Sequence, residues 1–420
     1  MTRIDDMDDL LPLLRAWMPA QRWYAAKGGE PALRLVDVRE TPSPEPGALV
    51  RTLLVADGAT LYQVPVVVRP AVPAQTIPAH AIGTLPDGSV LLDGVHDEAF
   101  TNALLSGLTG APVARAAHVL AGEQSNTSVI YPAHGRETAV ICKVFRQLHD
   151  GLNPDIELQT ALSSAGSPYV PAVVGHVEGT WRDGGAAHAG SFAFAQEFLS
   201  GVEDAWRVAL RAATAGTPFA ESAFALGRAT SAVHADLARL FPAPAADAAA
   251  RAAVAAAWER RLRLATAEVP GLVAHADGIR AVYAAAGDAH WPALQRVHGD
   301  YHLGQVILVP QRGWVLLDFE GEPLRPIEER RRADVPVRDV AGMLRSFDYI
   351  AGSLAREGHD AAAWTRDARD AFREGYGPVD PLLLAAFELD KAVYEALYET
   401  RNRPDWVGIP LAAVQRLAAA

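Results

Sequence analysis

The chain of 420 residues has a single cysteine, Cys142, so it offers no intrachain disulfide framework and no cysteine-based zinc site. Lysine is almost as scarce. Lys27, Lys143 and Lys391 are the three in the chain, and the other 35 of its 38 basic residues are arginine. A lysine kept against that bias draws notice, and Lys143 falls in the middle of an apolar, strand-like run. No stretch approaches the roughly 18 uncharged apolar residues of a membrane span. Charged residues make up only 21% and hydrophobic residues 50%, too apolar for a disordered chain and enough for two or three domains with sizeable cores. A formal net charge of −12 argues against a sequence-independent grip on nucleic acid phosphates. The opening residues are acidic and lead into an amphipathic segment, unlike a secretory signal. The expectation is a soluble cytoplasmic protein, monomeric or weakly homo-oligomeric, with no nucleic acid or membrane partner.

Periodicity divides the chain. Asp5 to Tyr24 reads as a helix that Pro19 ends, with Trp17 and Trp23 closing a small core. Leu33 to Val38, Leu49 to Val55 and Leu61 to Val68 read as strands, and Gly83 to Val95 as a hairpin. Asp97 is a candidate cap for a helix that Gly107 would stop. A second strand set covers Ala117 to Leu120, Val129 to Tyr131 and Thr138 to Phe145. A helix capped by Asn153 follows, with Pro154 in its first position. Val170 to Glu178 and Ser191 to Phe198 are strands, and Gly184-Gly185 is the turn between them. Beyond Asp204 the chain is helical and alanine-rich, interrupted by short strand-like pieces from Val297 to Asp318. The expected fold class is α+β, with a β-rich first part, an α-rich second part and the chemistry at the switch.

The densest polar cluster is Val297-His-Gly-Asp-Tyr-His-Leu-Gly-Gln-Val306, followed by Asp318 at the end of an apolar strand and then by Phe319 and Glu320. Phosphoryl transfer to an alcohol needs a carboxylate to take the hydroxyl proton, an amide or carboxylate plus a second carboxylate for Mg²⁺, and a cation for the phosphates. Asp300 lies in a tight, glycine-containing loop. Gln305 offers an amide oxygen, Asp318 stands after a buried strand, and Lys143 has Glu157 on the following helix as a partner. The loop Gly122 to Ser128 has one glycine, so Ser125, Asn126, Thr127 and Ser128 are the candidate donors to phosphate. A zinc triad of His298, Asp300 and His302 is the competing reading, and it leaves Gln305, Asp318 and Lys143 without roles. His298 reads better as a residue that holds the loop.

His-Gly-Asp-x-His-x-x-Gln followed by Asp-Phe-Glu resembles the protein-kinase-like sugar and aminoglycoside kinases. Gly122 to Ser128, Gly151 to Asp155, Asp339 to Tyr349, Glu388 to Glu395, Arg403 to Trp406 and Gln21 to Lys27 bring the chain close to the actinobacterial maltokinases and their glucosamine kinase relatives. The resemblance implies a bilobal protein-kinase-like fold with an N-terminal α+β cap. Its expected segments are a cap and intermediate region at 1–110, an ATP-binding N-lobe at 111–199 and a helical C-lobe at 200–420. It implies ATP and Mg²⁺, with Asp300 as base, Gln305 and Asp318 as metal ligands and Lys143 as the phosphate lysine partnered by Glu157. Gln196, Glu197, Phe198 and Leu199 become the hinge that reads adenine.

For the acceptor, Trp406 is a candidate sugar platform with Asp405 and Arg403 beside it, and Tyr301 and His302 flank the base. Maltokinases usually have leucine after the base and Leu-Pro after this tryptophan; here those positions are Tyr301 and Val407-Gly408. That fits a smaller acceptor. Glucosamine carries an ammonium, for which Asp300, Glu320, Asp390, Glu395 and Asp405 are candidate readers. Glu322 reads as solvated or supporting, and Lys391 with Glu395 as a helical i,i+4 pair. The preferred expectation is glucosamine phosphorylated at its 6-hydroxyl. Maltose 1-phosphorylation is second, an aminoglycoside phosphotransferase third and a kinase-like scaffold last.

Overall fold

The computed structural model of the chain describes residues 7–25, 29–43, 45–71, 78–120, 125–322 and 325–419. Asp5, Lys27 and Gly122 to Gln124, singled out above, lie outside the described residues. The chain divides into two compact units, Met1–Glu157 with Ala172–Ser200, and Leu158–Pro171 with Gly201–Ala420.

The first unit opens with α1 (Met7–Trp17), a 3₁₀ turn at Met18–Ala20, and strands β1 (Leu33–Thr41), β2 (Leu49–Asp57), β3 (Thr60–Arg69), β4 (Ala81–Thr84) and β5 (Val90–Asp93). α2 (Glu98–Thr109), β6 (His118–Val119), β7 (Asn126–Tyr131), β8 (Val140–Phe145) and β9 (Gln147–Leu148) follow, then the first turn of α3 (Pro154–Ser164), whose remainder from Leu158 belongs to the second unit, and β10 (Val173–Asp183) and β11 (Ala186–Glu197). Two antiparallel sheets result, in the orders β1-β2-β3-β5-β4, with β9 on β3, and β10-β11-β8-β7-β6.

The near-continuous apolar runs of β2 and β3 arise because both faces of their sheet are covered. Leu53, Val55, Val64 and Val66 pack with Leu10, Leu14 and Trp23 on one side. Val50 and Val67 pack with Phe100, Val129 and Cys142 on the other. The expected Trp17–Trp23 contact is present, with ring centroids 5.7 Å apart. Asp97 caps α2 as expected, its side chain accepting from the Ala99 N–H. The expected stop at Gly107 is wrong: Gly107 lies inside α2, and the helix ends at Gly110, whose φ of 71° is the left-handed turn a C-terminus uses.

The second unit contains β12 (Glu203–Asp204), α4 (Ala205–Thr214), α5 (Ala220–Leu240), α6 (Ala248–Glu268), α7 (Ala276–Ala285), β13 (Val306–Val309) and β14 (Gly313–Leu316). It continues through α8 (Ile327–Arg330), α9 (Val337–Arg356), α10 (Ala362–Tyr376), α11 (Pro381–Asn402) and α12 (Gly408–Ala418). One core runs through these helices, with Leu226, Val233, Leu344, Phe347, Phe372 and Phe387 fully or almost fully buried. The expected cap segment and most of the expected ATP-binding segment lie in the first unit, each with a sheet of its own; residues 158–171 and the helical segment lie in the second.

α5 and α10 approach so closely that a Cβ at Gly227 would run into the Phe372 carbonyl oxygen, and one at Gly375 into the Phe224 carbonyl oxygen. Backbone cannot yield as a side-chain tip can. Gly227→Ala should destabilise the second unit by about 1–3 kcal/mol, read as a fall in Tm. Gly107→Ala is the matched control. It sits in a helix with open space around it, so it should be neutral or stabilising by up to about 1 kcal/mol. Equal melting of the two variants would refute the close packing.

Candidate active site

In the first unit, alternation along β8 sends Cys142 into the core and Lys143 to the opposite face. β8 pairs with β7 and β11, placing Lys143 beside Ser128 and Phe194. Lys143 Nζ donates to Asp155 Oδ2 at 2.9 Å, and that carboxylate is buried. Asp155 sits in the first turn of α3, where Asn153 Oδ1 accepts its N–H at 2.8 Å and the helix N-terminus favours an anion. Sequence reasoning named Glu157, which lies half-buried two residues on, and passed over Asp155. The Asn-Pro-Asp start of the helix was the signal that marked it.

The phosphate-loop expectation needs correction at two positions. β7 begins at Asn126, so Thr127 and Ser128 are buried within the sheet, and the Thr127 hydroxyl accepts from Arg146 Nε at 2.8 Å. Ser125 is exposed and Asn126 half-buried. Gln196, Glu197, Phe198 and Leu199 are half-buried at the end of β11. The Glu197 and Phe198 N–H groups donate to the Ala172 and Ala139 carbonyls at 2.8 Å, which fixes that strand end.

In the second unit, the loop carrying Asp300 hangs from one carboxylate. Asp339, buried in the first turn of α9, accepts from the His298 N–H at 2.8 Å and the Gly299 N–H at 2.9 Å. His234 Nε2 donates to it at 2.9 Å, and His234 Nδ1 meets the Tyr376 hydroxyl at 2.9 Å. Gly299 takes φ 83°, a conformation L side chains rarely adopt, which turns the chain so that Asp300 stands half-buried. His298 Nε2 donates to the Leu317 carbonyl at 2.8 Å, tying the loop to the strand end that carries Asp318. His302 Nδ1 accepts from the Gly304 N–H at 3.0 Å. Both imidazoles brace backbone, as expected for His298, and the zinc triad has no support.

Asp318 follows β14 with φ 61°, strained for a residue with a Cβ. Gln305 Nε2 donates to Asp318 Oδ2 at 3.0 Å, and the Leu317 N–H donates to the Gln305 carbonyl at 2.9 Å. The amide nitrogen is therefore engaged, and the amide oxygen is the atom Gln305 offers. Glu320 brings a carboxylate oxygen within 4.8 Å of one of Asp318.

Most of the expected sugar contacts are corrected. Tyr301 does not narrow an entrance. It is buried in the core, and its hydroxyl pairs with Thr230 at 2.8 Å. Asp390 is buried against Arg261, and Glu395 against Arg345 at 2.7 Å. Trp406 is half-buried, with the Arg356 and Arg403 guanidinium groups over its ring at 5.0 and 4.9 Å and Tyr349 stacked 6.5 Å away, so protein cations compete for the face a sugar would use. Asp405 is exposed on the 3₁₀ turn beside it, its carbonyl accepting from Arg356. Lys391 is not paired with Glu395 but with Asp300 at 3.2 Å and Glu322 at 2.7 Å. Sequence reasoning missed this, because a contact from α11 to two loops leaves no local spacing.

Residues 117–376 match the family described as "Phosphotransferase enzyme family". The chain belongs to that family. Residues 17–97 of this phosphotransferase also match the maltokinase N-terminal cap domain. It is 30% identical over 361 residues to a glucosamine kinase of Streptacidiphilus jiangxiensis, covering 78% of this chain and 76% of that one. A glucosamine kinase of Mycolicibacterium smegmatis is 29% identical over 330 residues, covering 72% of this chain and 80% of the other. A solved glucosamine kinase in complex with glucosamine, ADP and inorganic phosphate shares the fold, with TM-score 0.68, 23% identity, 97% of this chain and 98% of that one covered. Among the described residues of this phosphotransferase, no helix is long and apolar enough to cross a membrane.

Phosphotransferases of this kind imply Mg²⁺, and the residues present fit it. The Gln305 amide oxygen and the Asp318 and Glu320 carboxylates are hard oxygen donors, with no thiolate or imidazole among them. Glu320, expected among the sugar contacts, stands close enough to Asp318 for the two to share a cation.

Burial alone would push the Asp339 carboxyl up. The His234 hydrogen bond and charge, with the Gly299 N–H, outweigh it and hold the group below the usual carboxylate range. A depressed folded-state value stabilises above the unfolded value, about 3.9 for aspartate, and the contribution fades as pH falls through the folded value. Stability of the second unit should therefore drop as pH is lowered below about 4. Asp339→Asn should cost on the order of 2 kcal/mol and flatten that acid limb. Melting curves from pH 6 downward check both; an Asn variant with the wild-type acid slope would exclude Asp339 as a source.

Proposed function

We propose that this chain is an ATP-dependent sugar kinase that phosphorylates D-glucosamine at its 6-hydroxyl and releases ADP. The observation that carries the reading is the Asp300 loop, braced through Asp339 and His298 next to the Gln305–Asp318 pair, in a chain 30% identical to a glucosamine kinase over most of its length. Asp300 takes the hydroxyl proton as the sugar oxygen bonds to the γ-phosphorus. The bond from that phosphorus to the β–γ bridging oxygen breaks, and ADP leaves with its electrons. Gln305, Asp318 and Glu320 would hold Mg²⁺, which when bound neutralises phosphate charge. Lys143, oriented by Asp155, binds the phosphates; Ser125 and Asn126 remain the loop's candidate phosphate donors, and residues 196–199 are the candidate contacts for adenine.

The match of residues 17–97 to the maltokinase cap domain favours maltose 1-phosphorylation as a second reading. An ammonium distinguishes the two. A carboxylate on a cation is worth roughly 1.5–3 kcal/mol against about 1 for a neutral hydroxyl, so glucosamine should exceed glucose by about tenfold in kcat/KM. N-acetylglucosamine, with no charge and added bulk, should be poor. Side-by-side measurement of kcat/KM for glucosamine, glucose, N-acetylglucosamine and maltose decides. Maltose as best substrate would install the second reading, and equal rates with glucose would remove any reading of the amine.

Asp300→Asn should lower kcat by a factor on the order of 10² or more while leaving ATP affinity nearly intact. Normal turnover in that variant would take the base role away from Asp300. Lys143→Ala should chiefly raise the KM for ATP, with Asp155→Asn acting in the same direction and more mildly.

A further inference from the structure

The second unit keeps a lysine where its arginine-rich composition would supply a guanidinium. Lys391, on α11, is largely buried, its side chain 18% exposed. Its ammonium reaches Asp300 Oδ1 at 3.2 Å and Glu322 Oε1 at 2.7 Å, and lies 4.8 Å from the centre of the Tyr394 ring. Glu322 is itself buried, and Arg261 stands 3.9 Å from its other oxygen while pairing with Asp390. The lysine thus touches one oxygen of the proposed base and is anchored by a second, buried carboxylate.

We infer that Lys391 is the positioning residue for the catalytic base: anchored by Glu322, it holds Asp300 Oδ1 so that the second carboxylate oxygen faces the acceptor hydroxyl. The inference rests on Asp300 being the base and assigns the residue that aims it. Three observations bear on it. An aspartate side chain turns freely about two torsions unless something fixes it, and the brace through Asp339 fixes only the backbone of residues 298 and 299. An ammonium is a point charge that meets two carboxylates without imposing a bidentate plane, which suits a holder that leaves one oxygen of Asp300 to the substrate. Burial would strip the lysine's proton, but Glu322 and Asp300 outweigh it and hold the ammonium above its usual range, so the clamp stays charged wherever the enzyme works.

The test is a cycle of variants read for kcat, for both KM values and for Tm. Lys391→Met should lower kcat about 10–100-fold, because misaiming by a fraction of an ångström is costly in phosphoryl transfer, with the KM for ATP unchanged. It also leaves Glu322 buried without its partner, so Tm should fall. The double variant Lys391→Met/Glu322→Gln removes both charges and should regain most of the Tm while kcat stays low. A purely structural role predicts the opposite, with activity returning as stability does, and that result would overturn the inference. In an Asp300→Asn background, adding Lys391→Met should lower the residual rate by less than twofold, since the lysine acts through the base. A full further drop would show that it acts elsewhere. Lys391→Arg should retain part of the activity, and a rate as low as that of Lys391→Met would mean that the retained charge is not what positions the base. If Asp300→Asn itself turns over normally, the base assignment fails first. If it is dead and the double variant is active, only the role of Lys391 fails.

Discussion

Asp339 accepts the N–H groups of His298 and Gly299, both within two residues of the proposed base, and the His234 ring from α5. Two peptide groups beside a left-handed glycine have no regular ladder to satisfy them, and an unpaired buried N–H costs about 1–3 kcal/mol. A carboxylate with two oxygens meets both at once. Because Asp339 sits in the first turn of α9, its charge also stands at the helix end that favours an anion. The loop backbone is therefore tied to the helix that carries its anchor. α9 reaches it closely because residue 342 is glycine: a Cβ there would lie 2.5 Å from the Tyr301 carbonyl oxygen.

The second constraint is a set of charges inside the helical unit. Arg345, Arg261 and Arg338 pair with Glu395, Asp390 and Asp334, all buried or largely so. Such pairs contribute little net stability, since desolvation offsets most of the attraction, but breaking one is costly. Their consequence here is geometric. They hold α6, α9 and α11 in one register, and α11 carries Lys391 to Asp300. Asp390 and Glu395, two of the carboxylates that looked like amine readers from composition, are members of this set.

The elements were largely legible. α5 runs over Ala220–Leu240 as the apolar spacing predicts, and β2 and β3 follow their apolar runs. The motif His-Gly-Asp with Gln305 and Asp318 was legible because those residues lie close in sequence and the loop brings them together locally. What failed was long-range. The Lys391–Asp300 contact spans 91 positions and Arg345–Glu395 spans 50, and neither leaves a periodic trace. Trp406 has the composition of a sugar platform, but the guanidinium of Arg356, 50 positions earlier in the chain, joins that of the neighbouring Arg403 over its ring. Gly107 was misread because glycine in a helix and glycine at its end look alike until φ is known.

Arginine and lysine divide the labour in a way the composition hinted at. Where a charge must lock two elements, this chain uses the guanidinium fork: Arg345 on Glu395 and Arg401 on Glu268 each meet their carboxylate through two nitrogens. Lys143 and Lys391, the two described lysines, are the residues proposed to face the phosphates and the base, and the ammonium nitrogen of each meets single carboxylate oxygens, Asp155 for Lys143 and Asp300 and Glu322 for Lys391. A fork that has found its plane has little freedom to follow a moving charge, whereas an ammonium on a four-carbon stem keeps three donors that turn about one bond. Charge develops and shifts along the line from acceptor oxygen to phosphorus to leaving oxygen. Residues beside that line are better served by a point charge, and this is a physical reason for lysine to persist there in a chain that otherwise uses arginine.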